Sequence, residues 1–234
     1  MTRAQIVTLA RDYLQESGLV PLTAAIANDL ANEAQADLAE LAEYATATFS
    51  VTGGLVTGQH DYDISGTSLL TVWSVAANDA SGNLTPLGPP LSLAEMDSTY
   101  PSWRTDAAAR PERWWFQANA LWLHPKPSAA YAGTPLQLKG PYVPADMAAD
   151  GSTPLGLPGR FHRTLAKYIA YRWLAIDKEN PSAQRMAAFW QGDYRNDVRR
   201  LRGLIGGRAG MDSGGLRLDP GRPSDTSSLL GDDD

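Results

Sequence analysis

The chain has 234 residues, of which 43% are hydrophobic and 20% charged, with a formal net charge of −6 and no cysteine. That is long enough for one large core or two small ones, and the balance is that of an ordinary globular protein, not a disordered or coiled-coil one. The missing cysteines exclude a disulfide framework and any thiolate ligand or nucleophile, and the acidic balance excludes bulk attraction to nucleic acid.

From the start, MTRAQIVTLARDYL mixes polar and apolar residues and reads as neither a signal peptide nor a membrane span. No apolar run in the chain approaches the roughly 20 residues of a spanning helix. Residues 2–16 fit a helix with Thr2 as N-cap and Ile6, Leu9, Ala10, Tyr13 and Leu14 as its inner stripe. Ser17-Gly18 ends it, and Pro21 with Thr23 opens the next segment. Residues 23–47 are predicted to form an Ala-rich helix with Ile26, Leu30, Ala34, Leu38 and Leu41 facing in. Asp29, Glu33, Asp37, Glu40 and Glu43 mostly face out. Residues 1–47 hold seven acidic side chains against two basic ones.

At Ala47 the period changes to alternation. Phe49 to Thr52, Asp61 to Ile64 and Leu69 to Ala77 (LLTVWSVAA) read as strands separated by turn residues, and Leu84 to Leu87 continues beyond the turn at 78–83. LSLAEMDSTY at 91–100 has the look of a helical turn. Two further strands are RWWFQ at 113–117 joined to NALWLH at 119–124, and PLQLKGPY at 135–142. Short strands punctuated by Gly, Pro and Asn predict an antiparallel sheet or small barrel over residues 48–143.

A Pro/Gly/Ala/Asp-rich loop at 144–156 returns the chain to a helical hairpin at 157–206. Pro158 suits its start, and His162 is placed at an exposed helix start. Phe161, Leu165, Tyr168, Ile169, Trp173 and Ile176 recur at helical spacing. After Asn180-Pro181 a second stripe follows through Met186, Phe189, Trp190, Tyr194, Val198, Leu201 and Leu204/Ile205. Gly206-Gly207 offers a C-cap. Neither helix can bury so wide a face alone, so Phe161, Leu165, Trp173, Phe189, Trp190 and Leu201 are expected to serve helix packing and oligomerisation. Residues 157–208 hold eleven basic and four acidic side chains, the reverse of the N-terminal helices. Either the helices pack together with charges rimming the contact, or opposite faces meet between subunits of a ring. Residues 207–234 lack periodicity and read as an extended arm. The fold class is therefore α+β: a helical bundle made by residues 1–47 and 157–206, an inserted antiparallel β domain, and a C-terminal arm.

Common catalytic and nucleotide signatures (GxSxG, HExxH, GxxxxGK[ST], GxGxxG) are absent. His60, His124 and His162 are scattered, and Asp61, Asp63 and Asp97 match no cation loop, so no catalytic, cofactor or metal residue is assigned. Trp114-Trp115-Phe116 with Trp122 has the composition of a base-stacking platform, but adjacent strand residues point to opposite faces and a core role fits better. Arg195, Arg199, Arg200 and Arg202 suit either phosphate contacts or the C-terminal end of a helix dipole.

The order of these segments carries more than any one of them. An acidic helix leads into GGLVTGQHDYDIS, then LLTVWSVAA, LSLAEMDSTYPSW, the P-x-R-W-W-F strand, LWLHPKP, an apolar strand ending at Tyr142, and LPGRFHRTLAKYIAYRWL. Over roughly residues 1–205 this succession resembles the head-to-tail adaptor (connector, or head-completion) proteins of tailed double-stranded-DNA phages. The resemblance implies a non-enzymatic structural virion protein without cofactors, assembled as a homo-oligomeric ring of usually twelve subunits. Such a ring is made in the host cytoplasm and docks beneath the portal protein at the virion neck. There it extends the DNA channel and supports the tail, nozzle or tail-completion protein, with DNA passing through the lumen and no membrane involved. C-terminal segments of such proteins reach the portal, which implies portal binding by Leu216, Arg217, Leu218, Arg222, Leu229 and Leu230. Two other classes stay open: a nucleic-acid-binding module using Arg195–Arg208, and a small hydrolase whose site assembles only in three dimensions.

Overall fold

Thr2 and Gln5 start the first helix by capping each other. The Gln5 N–H donates to Thr2 Oγ1 at 3.4 Å, and the Thr2 N–H donates to Gln5 Oε1 at 2.9 Å. The computed structural model, which describes residues 1–14, 22–79 and 81–212, shows α1 over Arg3–Leu14 with Ile6, Val7 and Ala10 buried. The expected stop at Ser17-Gly18 and the opening at Pro21 lie outside the described residues. Thr23 caps α2, Ala24–Ala42, by accepting from the Ile26 N–H, and Glu43 closes it in a left-handed conformation (φ 51°). The helix is therefore shorter than residues 23–47, and Ala47 already lies in a strand.

Among the described residues, seven strands and one α-helix follow: β1 (Thr46–Ser50), β2 (Asp61–Asp63), β3 (Ser74–Asn78), β4 (Leu84–Pro86), α3 (Leu93–Thr99), β5 (Arg113–Gln117), β6 (Ala120–His124) and β7 (Leu136–Pro141). They make two antiparallel sheets, ordered β1-β7-β3-β4 and β2-β6-β5. Leu138 at the centre of the first pairs with Phe49 on one side and Val75 on the other, and Trp115 pairs with Trp122 in the second. Val75, Leu136 and Leu138 share one buried cluster with Tyr62, Trp114, Leu121 and Leu123, so the sheets pack face to face. LLTVWSVAA is a strand only from Ser74 onward. Before it, a side chain on Gly140 would come within 2.1 Å of the Thr71 carbonyl oxygen, so the chain crosses β7 where only glycine fits.

The loop back from β7 is tied to the helices by polar contacts, one buried and two part-buried. Arg3 donates to the Met147 carbonyl and to Asp150 (2.7 Å), and Gln35 donates to the Ala145 carbonyl (2.9 Å). A 3-10 turn at Gly159–Phe161 leads into α4, His162–Leu174. The Asn180 side chain then caps α5, Pro181–Asp212, by accepting from Ser182 N–H at 3.0 Å. Helix α5 runs on beyond Gly206-Gly207, where a stop was expected. Glycine permits a left-handed cap without imposing one, and its cost inside a helix is only about 0.5–1 kcal/mol.

Helix α4 is the centre of the bundle. Leu165, Ala166, Tyr168 and Ile169 meet Ile6 and Ala10 of α1, Ala27, Ala34 and Leu38 of α2, and Tyr194, Val198 and Leu201 of α5 in one cluster. Three expectations fail here. The inner face of α2 is built from Ala27, Ala31, Ala34, Ala39 and Ala42 with Leu38, whereas Ile26 and Leu41 are 39% and 47% exposed. The small side chains let neighbouring helices approach closely, and that packing outweighs the larger apolar residues beyond its margin. His162 is buried, not exposed. Its Nδ1 lies 2.6 Å from the Met1 amino nitrogen and its Nε2 lies 3.0 Å from the Leu157 carbonyl, so both ring nitrogens are satisfied. Ile176, predicted to face inward, is exposed.

Candidate functional site

The helices meet through a polar rim. Tyr168 donates to Glu33 Oε1 at 2.8 Å, Arg172 donates to the same oxygen at 2.7 Å, and Tyr194 donates to Asp37 one turn further along α2. Burial, reinforced by these bonds to carboxylates, pushes both tyrosines above the usual tyrosine range, so they stay protonated donors. Lys167 donates to Asp197 at 2.6 Å and to Asp193 at 2.8 Å. Glu33–Arg172 is the expected charge pairing between the N-terminal helices and the hairpin, whereas Lys167 pairs within the hairpin, and together they use only part of the charge on these helices.

The remainder faces outward. Asp29 and Glu40 on α2, and Arg195, Arg199 and Arg202 on α5, are exposed and form no ion pair among the described residues. On α5 they share the outer side with Phe189, which is 60% exposed and meets Trp190 edge-on (5.0 Å, 73°). Trp190 is half-buried and stacks on Tyr13 (4.3 Å, 19°). Phe161, Leu165 and Leu201 lie in the helical core and Trp173 lies half-buried at its edge. Leu216, Arg217, Leu218, Arg222, Leu229 and Leu230 are outside the described residues.

A second cluster caps the outer face of the three-stranded sheet. Trp114 and Trp115 point to opposite faces, Trp114 into the core between the sheets and Trp115 toward α3. Trp115 stacks on Trp122 (5.5 Å, 13°), and Trp103 stands edge-on to both. The rings pack on one another instead of forming the open row that base stacking needs. Asp97 fixes this corner by accepting from Trp103 Nε1 and from Arg104, each at 2.9 Å. Those two donors hold its carboxyl below the usual carboxylate range. Sequence reading missed this clamp, although Ser92-x-x-Glu95, which forms a complete capping box on α3, was a legible signal for the helix that presents Asp97. A cleft of about 320 Å³ beside it is lined by His60, Leu93, Trp103, Arg104, Trp115, Gln117 and Trp122.

His60 and His124 converge on this cluster, edge-on to Trp103 and against Tyr100 respectively, while His162 sits in the helical core. Burial lowers the pKa of His124 despite Asp106 at 3.8 Å, so that contact is to a neutral imidazole at pH 7. Among the described residues, no group of three or more His, Cys, Asp or Glu could hold a metal ion, and no helix is long and apolar enough to cross a membrane.

What the geometry offers is surface: two outward helix faces of opposite charge on a rigid bundle, and a β-rich unit with an aromatic corner. No curated protein matches the chain. Residues 1–220 match the family model described as SU10 adaptor protein, nearly the whole chain, and the protein therefore belongs to the SU10 adaptor family.

Proposed function

We propose that this protein is the ring-forming adaptor at the neck of a tailed phage. It docks beneath the portal after packaging, continues the DNA channel and carries the tail, nozzle or tail-completion protein. The family match over residues 1–220 carries this reading. The architecture is in keeping with it, because a bundle built around a central helix gives each subunit a rigid wall, and the inserted sheets are free to contact a different partner. In this reading residues 1–47 and 157–206 form one helical unit, 48–143 the tail-side unit, and 144–156 the loop between them. The arm contacts the portal through Leu216, Arg217, Leu218, Arg222, Leu229 and Leu230, and begins later than residue 207 because α5 continues to Asp212. A twelve-subunit ring is the stoichiometry in this reading, and DNA passes through its lumen without sequence-specific contacts.

The test is depletion of the protein during infection. Filled heads without tails should accumulate and leak DNA, and purified protein added to them should restore tail attachment. Normal tailed particles lacking the chain would contradict the reading. A second reading, DNA binding by α5, is favoured by the exposed and unpaired Arg195, Arg199 and Arg202. Steep salt-dependent DNA binding by the isolated protein would support it.

A further inference from the structure

Helix α2 carries four carboxylates and no basic residue between Ala24 and Ala42. At 100° per residue, Ala27, Ala31, Ala34, Leu38 and Ala42 fall on its buried side, Asp29 and Glu40 fall opposite with Ile26 beside them, and the exposed Leu41 stands at the margin next to Ala34. Helix α5 shows the same division with the opposite sign. Ala183, Ala187, Tyr194, Val198 and Leu201 are buried, while Phe189, Arg195, Arg199 and Arg202 face away. Gly192 and Gly203 lie on that outer side with open space where a side chain would stand, so another helix can come close. From Ile26 to Leu41 and from Phe189 to Arg202, each face is about 20 Å long at 1.5 Å per residue.

We infer that these faces are the two halves of one contact between copies of this chain: the α2 outer face of one subunit packs on the α5 outer face of the next. The inference rests on the ring-forming reading above. Charge excludes the symmetric alternatives, because α2 against α2 and α5 against α5 both place like charges together. A contact between two different patches of the same chain repeats in one direction and, where its rotation closes, makes a ring and not a two-fold dimer. DNA at α5 would satisfy the arginines but would leave the acidic face and the exposed Ile26, Leu41 and Phe189 unaccounted for. A second copy accounts for both faces and for the apolar residues at their margins.

The test uses the full chain and two charge-reversed variants, Asp29→Lys/Glu40→Lys and Arg195→Glu/Arg199→Glu, all at exposed positions. Circular dichroism should show unchanged helix content. In sedimentation at low ionic strength, wild type should form a ring and each variant alone should associate at least about tenfold more weakly. Mixed in equal amounts, the variants should recover a ring of alternating subunits, since every contact then again pairs acid with base. Variants that assemble like wild type, a mixture that stays apart, or a wild type that remains monomeric would each overturn the inference. So would loss of DNA binding by the arginine variant with ring formation unchanged, which assigns the α5 face to DNA. The adaptor reading fails separately, on the filled-head assay.

Discussion

Lys167 of α4 donates to Asp197 of α5 at 2.6 Å, and the same ammonium reaches Asp193 at 2.8 Å, one turn earlier. Burial alone would lower the lysine pKa, but the bonds to the two carboxylates outweigh it and hold the pKa above the ordinary lysine value. A folded pKa above the unfolded one means stability that is complete below the unfolded value and lost as pH rises through the folded one. Lys167→Met should therefore cost about 1–3 kcal/mol at pH 7, since it leaves two carboxylates facing an apolar chain. Urea denaturation as a function of pH checks this: the gap from wild type should stay constant around neutrality and shrink above about pH 10.

Tyr194 and Asp37 bind α5 to α2 by a hydrogen bond from a buried ring to a carboxylate at the bundle edge. Tyr194→Phe and Asp37→Ala should be non-additive, with a coupling of about 1–2 kcal/mol in a double-mutant cycle by chemical denaturation. Strict additivity would mean that the contact contributes nothing.

Neighbouring aromatic residues on α5 should respond differently. Trp190→Ala removes the stack on Tyr13 and should cost about 2 kcal/mol of stability. Phe189→Ala should change stability by less than about 0.5 kcal/mol, because that ring is mostly exposed, and should instead weaken self-association. Thermal unfolding and sedimentation of the two variants separate these effects.

Gly140→Ala should destabilise the β-rich unit by about 2–3 kcal/mol, because the new methyl group would meet the Thr71 carbonyl, a backbone group that cannot turn aside. Gly192→Ala on α5 meets open space and should gain about 0.5–1 kcal/mol of helix stability. Denaturant midpoints of the two variants should move in opposite directions.

Local pattern foretold local structure well, and less of what packing decides. The 3.6 period located α1, α2, α4 and α5, and turn residues located most of the strands. The period did not give the phase of α2, because counting apolar residues favours Ile26 and Leu41, whereas close packing favours the alanine-rich face beside them. His162 reads as a polar residue at a helix start, and only the nearby Leu157 carbonyl and Met1 amino group make its burial possible. The sheet order was illegible because β1 pairs with β7, bringing Thr46 against Pro141 across the whole insertion. The imbalance of charge between the first and last helices was plain in the sequence. Which charges rim the bundle and which stay unpaired depends on tertiary contacts such as Glu33–Arg172, which no spacing rule supplies.

A cryo-EM reconstruction of the neck in intact particles should show a ring of this chain between portal and tail, with α2 of each subunit against α5 of its neighbour. A head–tail junction resolved without this chain would contradict the adaptor reading.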